Sequence, residues 1–298
     1  MHSRTRYRLE WGRHRLELGR RTCIMGIVNV TPDSFSDGGR FLDPRNAVVQ
    51  GLRLAAEGAD IIDIGGESTR PFSESVSADE EIRRVVPVVA ELAQKIRIPI
   101  SIDTSKAAVA RRALEAGAAM INDIAALRSD AGLAELAAEF GVPVILMHMR
   151  GEPRTMQVAP RYDDLVGEIY SFLQEAADAA ERQGIARERL IVDPGIGFGK
   201  TAEHNLQLIH RMADFAGLGL PLLAGPSRKS FIRRLVKPAG EPDIPPDRPA
   251  VETGTQAAVA ASVFNGAHIV RVHDVANTVA TVNVVDAILN SGSTPKIH

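Results

Sequence analysis

The sequence predicts an α/β protein that folds as a single (β/α)8 TIM barrel with a short N-terminal β-hairpin. Short β-branched or apolar runs alternate with amphipathic helical stretches, and this alternation favours parallel strands. Eight such units indicate closure into a barrel, and a chain of 298 residues suits barrels of about 250 residues. A doubly wound sheet would give similar local signals and is the alternative fold.

The N-terminal segment predicts a hairpin that plugs the barrel, because residues 7–9 and 16–18 flank a turn at Trp11, Gly12 and Arg13. Eight barrel strands are predicted at 24–29, 61–64, 98–102, 120–122, 144–147, 190–192, 222–223 and 269–272. Helices are predicted at 44–57, 78–95, 105–115, 130–139, 163–183, 202–212, 228–236 with 251–264, and 275–289.

The stretch 237–249 contains five prolines and cannot continue a helix, so we expect an exposed excursion within the seventh helical region. It requires no domain boundary. The predicted organisation is a hairpin extension at 1–21, one barrel at 22–290 and a tail at 291–298.

Composition limits the possible partners. Apolar residues make up 45% of the chain, and a net charge of −2 gives no reason to expect nucleic acid or an anionic membrane. Cys23 is the single cysteine, which predicts a core thiol and a reducing, cytoplasmic location. No run approaches the ~20 apolar residues of a membrane span, and we expect a soluble protein without an export signal.

Polar residues lie at or near the ends of most predicted strands. They are Asn29, Asp63, Asp103, Asn122, Asp123, His148, Asp193, Arg271 and His273. In a barrel the carboxyl ends of all strands open on one face, so these residues are predicted to converge on one cavity.

The segment 191–200, IVDPGIGFGK, is the stretch around which we expect the site to be organised. Asp193 ends a buried strand, and the following glycines allow positive φ and the close approach of a flat ligand. Phe198 would offer an aromatic face and Lys200 a charge. A simple strand-to-helix turn is the alternative interpretation, since a lone GxGxG is weak evidence for a ligand.

Several basic residues predict an anion site. Arg70 follows the hydroxyls of Ser68 and Thr69, while Arg271 and His273 alternate along one strand and therefore share a face. Taken singly, each could equally form a surface ion pair.

Lys229 follows the seventh strand at a helix start, where barrel anion sites often lie, and could bind an anion or a heteroaromatic carbonyl. His148 is expected to support the site rather than to contact ligand.

Seven segments together resemble the dihydropteroate synthases, the enzymes of folate synthesis that sulfonamides inhibit. The two long ones are NVTPDSFSDGG at 29–39 and GGESTRP at 65–71; the five shorter ones are SIDT at 101–104, INDI at 121–124, DPGIGFGK at 193–200, SRKS at 227–230 and RVHD at 271–274. They occur in the family's order, and the resemblance spans about residues 22–290.

The resemblance implies condensation of 6-hydroxymethyl-7,8-dihydropterin diphosphate with p-aminobenzoate, a Mg²⁺ requirement and a homodimer. It assigns pterin binding to Asp103, Asn122, Ile124, Met147, Asp193, Phe198 and Lys229. It assigns diphosphate binding to Asn29, Thr69, Arg70, Arg271 and His273, with Asn29 also reaching the metal. It assigns p-aminobenzoate binding to Thr69, Pro71, Phe198, Lys229 and Ser230.

Charge suggests the mechanism. Cations aimed at the departing diphosphate would stabilise the transition state, and a dissociative displacement at C9 needs no enzyme nucleophile. The residues expected to act in catalysis are Asp103, Asp193, Lys229, Arg271 and His273. The long loops 33–39 and 71–77 are predicted to be mobile flaps that order over substrates.

Two features depart from the family pattern: Pro226 precedes the SRKS segment, and Phe72 follows Pro71. Both concern the p-aminobenzoate side. Two rival functions stay open, a pterin-binding methyltransferase barrel and a non-catalytic pterin-binding paralogue. The methyltransferase would not need Arg70, Arg271 and His273 grouped around a diphosphate. The paralogue should lack part of the diphosphate set or Lys229, and none of these residues is missing.

Overall fold

The computed structural model describes residues 4–31, 44–68, 73, 75–151 and 155–291. Their strands are β1 (Tyr7–Trp11), β2 (His14–Leu18), β3 (Cys23–Asn29), β4 (Ile61–Gly65), β5 (Ile100–Asp103), β6 (Met120–Asp123), β7 (Val144–Met147), β8 (Leu190–Asp193), β9 (Leu223–Ala224) and β10 (Ile269–Val272). Their helices are α1 (Pro44–Ala56), α2 (Ala78–Lys95), α3 (Ala107–Glu115), α4 (Gly132–Phe140), α5 (Leu165–Arg182), α6 (Ala202–His210), α7 (Ser230–Val236), α8 (Pro249–Phe264) and α9 (Val275–Asn290). Short 3₁₀ helices cover Arg187–Arg189 and Met212–Leu218.

Strands β3 to β10 form one parallel sheet in the order β8-β7-β6-β5-β4-β3-β10-β9. The two edges meet, because the N–H of Val192 donates to the carbonyl of Pro221 at 3.0 Å and Val192 forms a parallel bridge with Leu222. The sheet is therefore a closed barrel, which confirms the predicted fold class and excludes the doubly wound alternative.

The hairpin β1–β2 covers the amino-terminal end of the barrel. Leu9, Trp11, Leu16 and Leu18 are buried. The indole Nε1 of Trp11 donates to the carbonyl of Ala119, just before β6, at 2.7 Å. The predicted plug is thus confirmed, and it lies opposite the end at which the strand-end polar residues gather.

The predicted elements all exist, with boundaries within two residues of those observed. Strand β5 begins at Ile100 rather than residue 98, because Pro99 has no N–H to donate to a neighbouring strand. Helix α7 begins at Ser230 rather than residue 228, since Arg228 adopts a left-handed φ of 58° that no α-helix accommodates.

The proline-rich stretch after α7 forms no helix or strand between 237 and 248 and is largely exposed, as predicted. Ile244 is an exception: it is buried, and the neighbouring Asp243 pairs with Arg233 at 3.0 Å. Cys23 is buried as expected for a core thiol, and burial raises its pKa to about 12. In the ranges described above, no helix combines the length and the apolar character that crossing a bilayer requires.

Candidate functional site

The carboxyl ends of the barrel strands bring acidic, amide and cationic side chains to one mouth, as predicted. Arg271 on β10 joins two of them: its Nε donates to Oδ2 of Asp63 and its Nη2 donates to Oδ2 of Asp103, both at 2.6 Å. Asn122 on β6 also donates to Asp63, from Nδ2 at 3.0 Å. Residues 208 positions apart in the chain therefore share one hydrogen-bond network.

Burial, and to a smaller extent the neighbouring charges, shift the pKa values of the acids and of Lys229 at this mouth. Burial raises the pKa of Asp103 to about 7 although Arg271 opposes the shift, and burial raises that of Asp193 to about 6. Burial and the charge of Arg271 lower the pKa of Lys229 to about 8. Each of these groups can thus change charge near neutral pH, as is common for groups in active sites.

The loop after β8 is shaped by glycines in the left-handed region. Gly195 has a φ of +73°, and a Cβ there would lie 1.9 Å from the carbonyl oxygen of His148. Gly197 has a φ of +86°, and its Cβ would meet the side chain of Lys229 at 2.6 Å. The predicted positive φ is therefore correct. The close approach that these two glycines allow is to other atoms of the protein, whereas a flat ligand was predicted there.

Lys229 lies over an aromatic face. Its Nζ is 3.8 Å from the ring centroid of Phe198, a cation–π geometry. Lys229 precedes the first turn of α7, and Ser230 begins that helix with an exposed side chain. Phe198 and Lys229, which were predicted to contact both pterin and p-aminobenzoate, are thus neighbours.

Apolar side chains line the same loop. Met147, Met156 and Phe198 form a small cluster apart from the main core, with Ile124 and Met149 packed against it. The predicted neighbours Ile124, Met147 and Phe198 therefore do come together. Met156 follows a run of mostly polar residues in the sequence and had no periodic pattern that could have identified it.

The interpretation of Lys200 as a ligand-facing charge is wrong. The residue is 2% exposed, and its Nζ donates to the carbonyl of Phe198 at 2.9 Å and contacts Nδ1 of His148 at 3.0 Å. Burial lowers the pKa of Lys200 to about 7. Burial and Lys200 together lower the pKa of His148 to about 2, so the imidazole is neutral and supports the loop from below.

His273 is oriented by a residue that sequence reasoning did not select. The Oγ of Ser227 lies 2.9 Å from Nδ1 of His273 and accepts from its backbone N–H at 3.3 Å. Ser227 is buried and lies two residues before Lys229, and its place in the segment 227–230 was the available sequence signal.

Asn29 ends β3, where it pairs in register with Gly65 of β4. Thr69, Arg70 and Pro71, together with Phe72 and most of the two predicted flaps, lie outside the described residues. In the part of the chain that the structure describes, no group of three or more His, Cys, Asp or Glu side chains could hold a metal ion.

Comparisons with known proteins identify this arrangement. The family model described as pterin binding enzyme matches residues 25–273. Dihydropteroate synthase from Escherichia coli K12 is 48% identical over 268 residues, which cover 90% of this chain and 92% of the relative. The chain belongs to the dihydropteroate synthase family.

Solved structures of this family agree with the barrel. Xanthomonas albilineans dihydropteroate synthase with 4-aminobenzoic acid is 46% identical with a TM-score of 0.87, covering 98% of this chain and 100% of that one. The same enzyme in complex with 7,8-dihydropteroate is 45% identical with a TM-score of 0.80, covering 92% of this chain and 95% of that one.

Asp63 converges on the mouth of this dihydropteroate synthase barrel as predicted, but its role in the site was missed. Its position inside a hydrophobic run marked it as a converging polar residue, but no role could be assigned without its partners. The structure places it at the centre of the network that holds Arg271 and Asn122.

Proposed function

We propose that the protein condenses 6-hydroxymethyl-7,8-dihydropterin diphosphate with p-aminobenzoate, giving 7,8-dihydropteroate and diphosphate. The observation that carries this proposal is the grouping of Asp103, Asp193, Lys229 and Arg271 at one barrel mouth. Acceptors suit the donors of a pterin ring, and cations suit the group that the ring loses.

The pterin is bound through its polar edge. Asp103 and Asp193 accept from the 2-amino group and the ring N–H, and the amide of Asn122 pairs beside them. Lys229 donates to the ring carbonyl. Ile124, Met147 and Phe198 supply the apolar wall, which their shared cluster supports.

The diphosphate is bound by Arg271 and His273 on β10, with Asn29, Thr69 and Arg70 completing the set. Arg271 is already held at the mouth by two carboxylates, and Ser227 sets the orientation of the His273 ring. A planar guanidinium can donate two parallel hydrogen bonds to phosphate oxygens, so Arg271 suits the departing group.

The p-aminobenzoate site is formed by Thr69, Pro71, Phe198, Lys229 and Ser230. Support comes from the stacking of Lys229 on Phe198 and from the position of Ser230 at the start of α7. In this proposal the aryl ring lies next to the pterin, with its amine directed at C9.

In the reaction the C9–O bond breaks and diphosphate leaves with the bonding electrons. The electron-rich dihydropterin carries the positive charge that develops at C9, while Arg271 and His273 stabilise the charge of the leaving group. The arylamine nitrogen then forms the C9–N bond and loses one proton to solvent. Trapping a covalent pterin–protein adduct during turnover would contradict this dissociative path.

The donor set at Asn29 fits Mg²⁺ that is held mainly by substrate. One amide oxygen at a strand end, without a carboxylate cluster in the described ranges, suits a hard cation that keeps phosphate and water ligands. When bound, Mg²⁺ would neutralise part of the diphosphate charge, and Asn29 would hold it beside Arg271 and His273. The expected result is loss of turnover on chelation with EDTA, restored by added Mg²⁺.

We further propose that the protein is a cytoplasmic homodimer. Light scattering on the purified protein should give twice the 32.1 kDa chain mass. A monomer at micromolar concentration would contradict the dimer.

The central test is product formation. Purified protein is incubated with dihydropterin diphosphate, p-aminobenzoate and Mg²⁺, and 7,8-dihydropteroate and released diphosphate are measured. Equal amounts of both products are expected. Pterin binding without turnover would instead indicate a non-catalytic paralogue, and methyl transfer to or from the pterin would indicate the methyltransferase alternative.

A further inference from the structure

Asp63 is a carboxylate inside the barrel wall. It lies in the middle of β4 between Ile62 and Ile64 and is 0% exposed. Burying a carboxylate is costly unless it is paired and hydrogen-bonded. Its Oδ2 is paired twice, with donors from two other strands: Nε of Arg271 at 2.6 Å and Nδ2 of Asn122 at 3.0 Å.

We propose that Asp63 is a positioning residue for the condensation: it holds the guanidinium of Arg271 and the amide of Asn122 in the orientations in which they meet substrate. The inference rests on the proposed function for the roles of those two residues. Asp63 itself does not touch substrate, because it is sealed beneath the mouth.

Asp63 decides which way the Asn122 amide faces. An ionised carboxylate only accepts hydrogen bonds, so Asn122 must turn its Nδ2 toward Asp63. The Oδ1 of Asn122 is then presented on the other side as an acceptor. A pterin edge that offers N–H donors requires such an acceptor, so Asp63 contributes to recognition of the ring from one layer below.

Asp63 also provides the fixed end of Arg271. The two carboxylates that Arg271 bridges differ in access, since the Asp63 side chain is 0% exposed and that of Asp103 is 12% exposed. A pterin at the mouth can compete for Asp103 but cannot reach Asp63. The Nε end of Arg271 therefore stays on Asp63, while the Nη2 end leaves Asp103 and turns to the diphosphate.

The substitution Asp63→Asn keeps the side-chain shape and removes the charge. Loss of one charge-assisted hydrogen bond predicts a fall of roughly 10- to 100-fold in kcat/KM for dihydropterin diphosphate. The KM for p-aminobenzoate should stay within about twofold, because none of its proposed contacts involves Asp63. Ser101→Ala is the matched control: Ser101 is the register partner of Asp63 on β5, is equally buried, and its Oγ has no hydrogen-bond partner among the described residues.

A double-mutant cycle tests whether Asp63 acts through Arg271. The Kd of dihydropterin diphosphate is measured for wild type, Asp63→Asn, Arg271→Met and the double variant. If Asp63 holds Arg271, its substitution should weaken binding less once Arg271 is gone than it does in the wild type, and the remainder is the effect through Asn122. Fully additive effects would overturn the proposed action on Arg271, and a loss no larger than that of Ser101→Ala would overturn the inference as a whole.

If Asp63→Asn does not fold, NMR of the wild-type protein tests the same bond. The Nε proton of Arg271 should exchange slowly with water both without ligand and with dihydropterin diphosphate bound. Rapid exchange in either state would show that Asp63 does not hold the Nε end of Arg271. Wild-type turnover separates the two ideas: an inactive wild type refutes the proposed function, whereas an active wild type with an unaffected Asp63→Asn refutes only the role of Asp63.

Discussion

Replacing Asp193 by Asn should make the protein more stable and nearly inactive. Asp193 ends β8, is buried, and accepts from the N–H of Gly195 through Oδ1 at 2.7 Å. An Asn side chain can keep this bond through its own oxygen. It carries no charge that must be removed from water, but it loses the acceptor that we propose for the pterin.

The size of the effect follows from the raised pKa. Burial raises the pKa of Asp193 from 3.8 to about 6 against the pull of Lys229 and Lys200. Since one pKa unit corresponds to about 1.4 kcal/mol, the ionised form lowers the free energy of unfolding by up to about 3 kcal/mol. Asp193→Asn removes this cost, which predicts a rise in Tm of roughly 5 °C at pH 8 for a chain of this length.

The stability gained by Asp193→Asn depends on pH. The folded pKa lies above the unfolded one, so the folded state binds the proton more tightly, and wild-type stability from this group falls as pH rises from about 4 to about 6. The advantage of Asp193→Asn should be complete at pH 8, about half as large at pH 5, and absent below pH 4.

The measurement is urea unfolding at pH 8 and pH 5, combined with the product assay. Asp123→Asn is the matched control, since Asp123 is also a buried carboxylate at a strand end but accepts from Ser105 Oγ, Ala125 N and Leu127 N. An Asn there loses an acceptor and should be less stable. If Asp193→Asn is also destabilised, by an equal amount at both pH values, the burial cost assigned to this carboxylate is wrong.

Three further predictions concern other parts of the molecule. Lys229→Ala should abolish most turnover. Wild-type kcat/KM should fall above the Lys229 pKa of about 8, and Lys229→Arg should remove that alkaline fall. A pH–rate series checks this, and an unchanged fall in Lys229→Arg would show that Lys229 is not the group that titrates. Gly195→Ala should cost roughly 2 kcal/mol or more in urea unfolding, because an Ala Cβ would lie 1.9 Å from the His148 carbonyl at a φ of +73°, and wild-type stability would contradict the loop geometry. Trp11→Ala should cost about 3–5 kcal/mol without changing either KM, since the hairpin lies at the opposite end of the barrel; an altered KM in folded protein would refute that separation.

Much of the site was predictable because strand ends can be recognised locally. Asp103, Asn122 and Asp193 each follow a short β-branched or apolar run, and parallel closure directs all such ends to one face. Phe198 and Met147 were also assigned to the correct neighbourhood. Their roles in binding stay predictions that the experiments above test.

The errors arise where a side chain's partner decides its function. Lys200 has the same local appearance as a ligand-binding lysine, but the loop turns its Nζ inward to His148 and Phe198. The sequence shows Ser227 only as part of the segment 227–230, and the proximity of β10 reveals that it orients His273.

The sequence by itself determined the elements of this protein and their order, because hydrophobic periodicity and chain-breaking residues act within a few positions of the chain. Closure of the sheet into a barrel rather than a doubly wound sheet is shown by the contact of β8 with Pro221 and Leu222. Only the tertiary structure decided which charges meet. Asp63 and Arg271 are 208 residues apart, and their contact depends on the register of β4, β3 and β10 around the closed barrel. No local pattern contains that register, since it is set by the simultaneous packing of all eight strands.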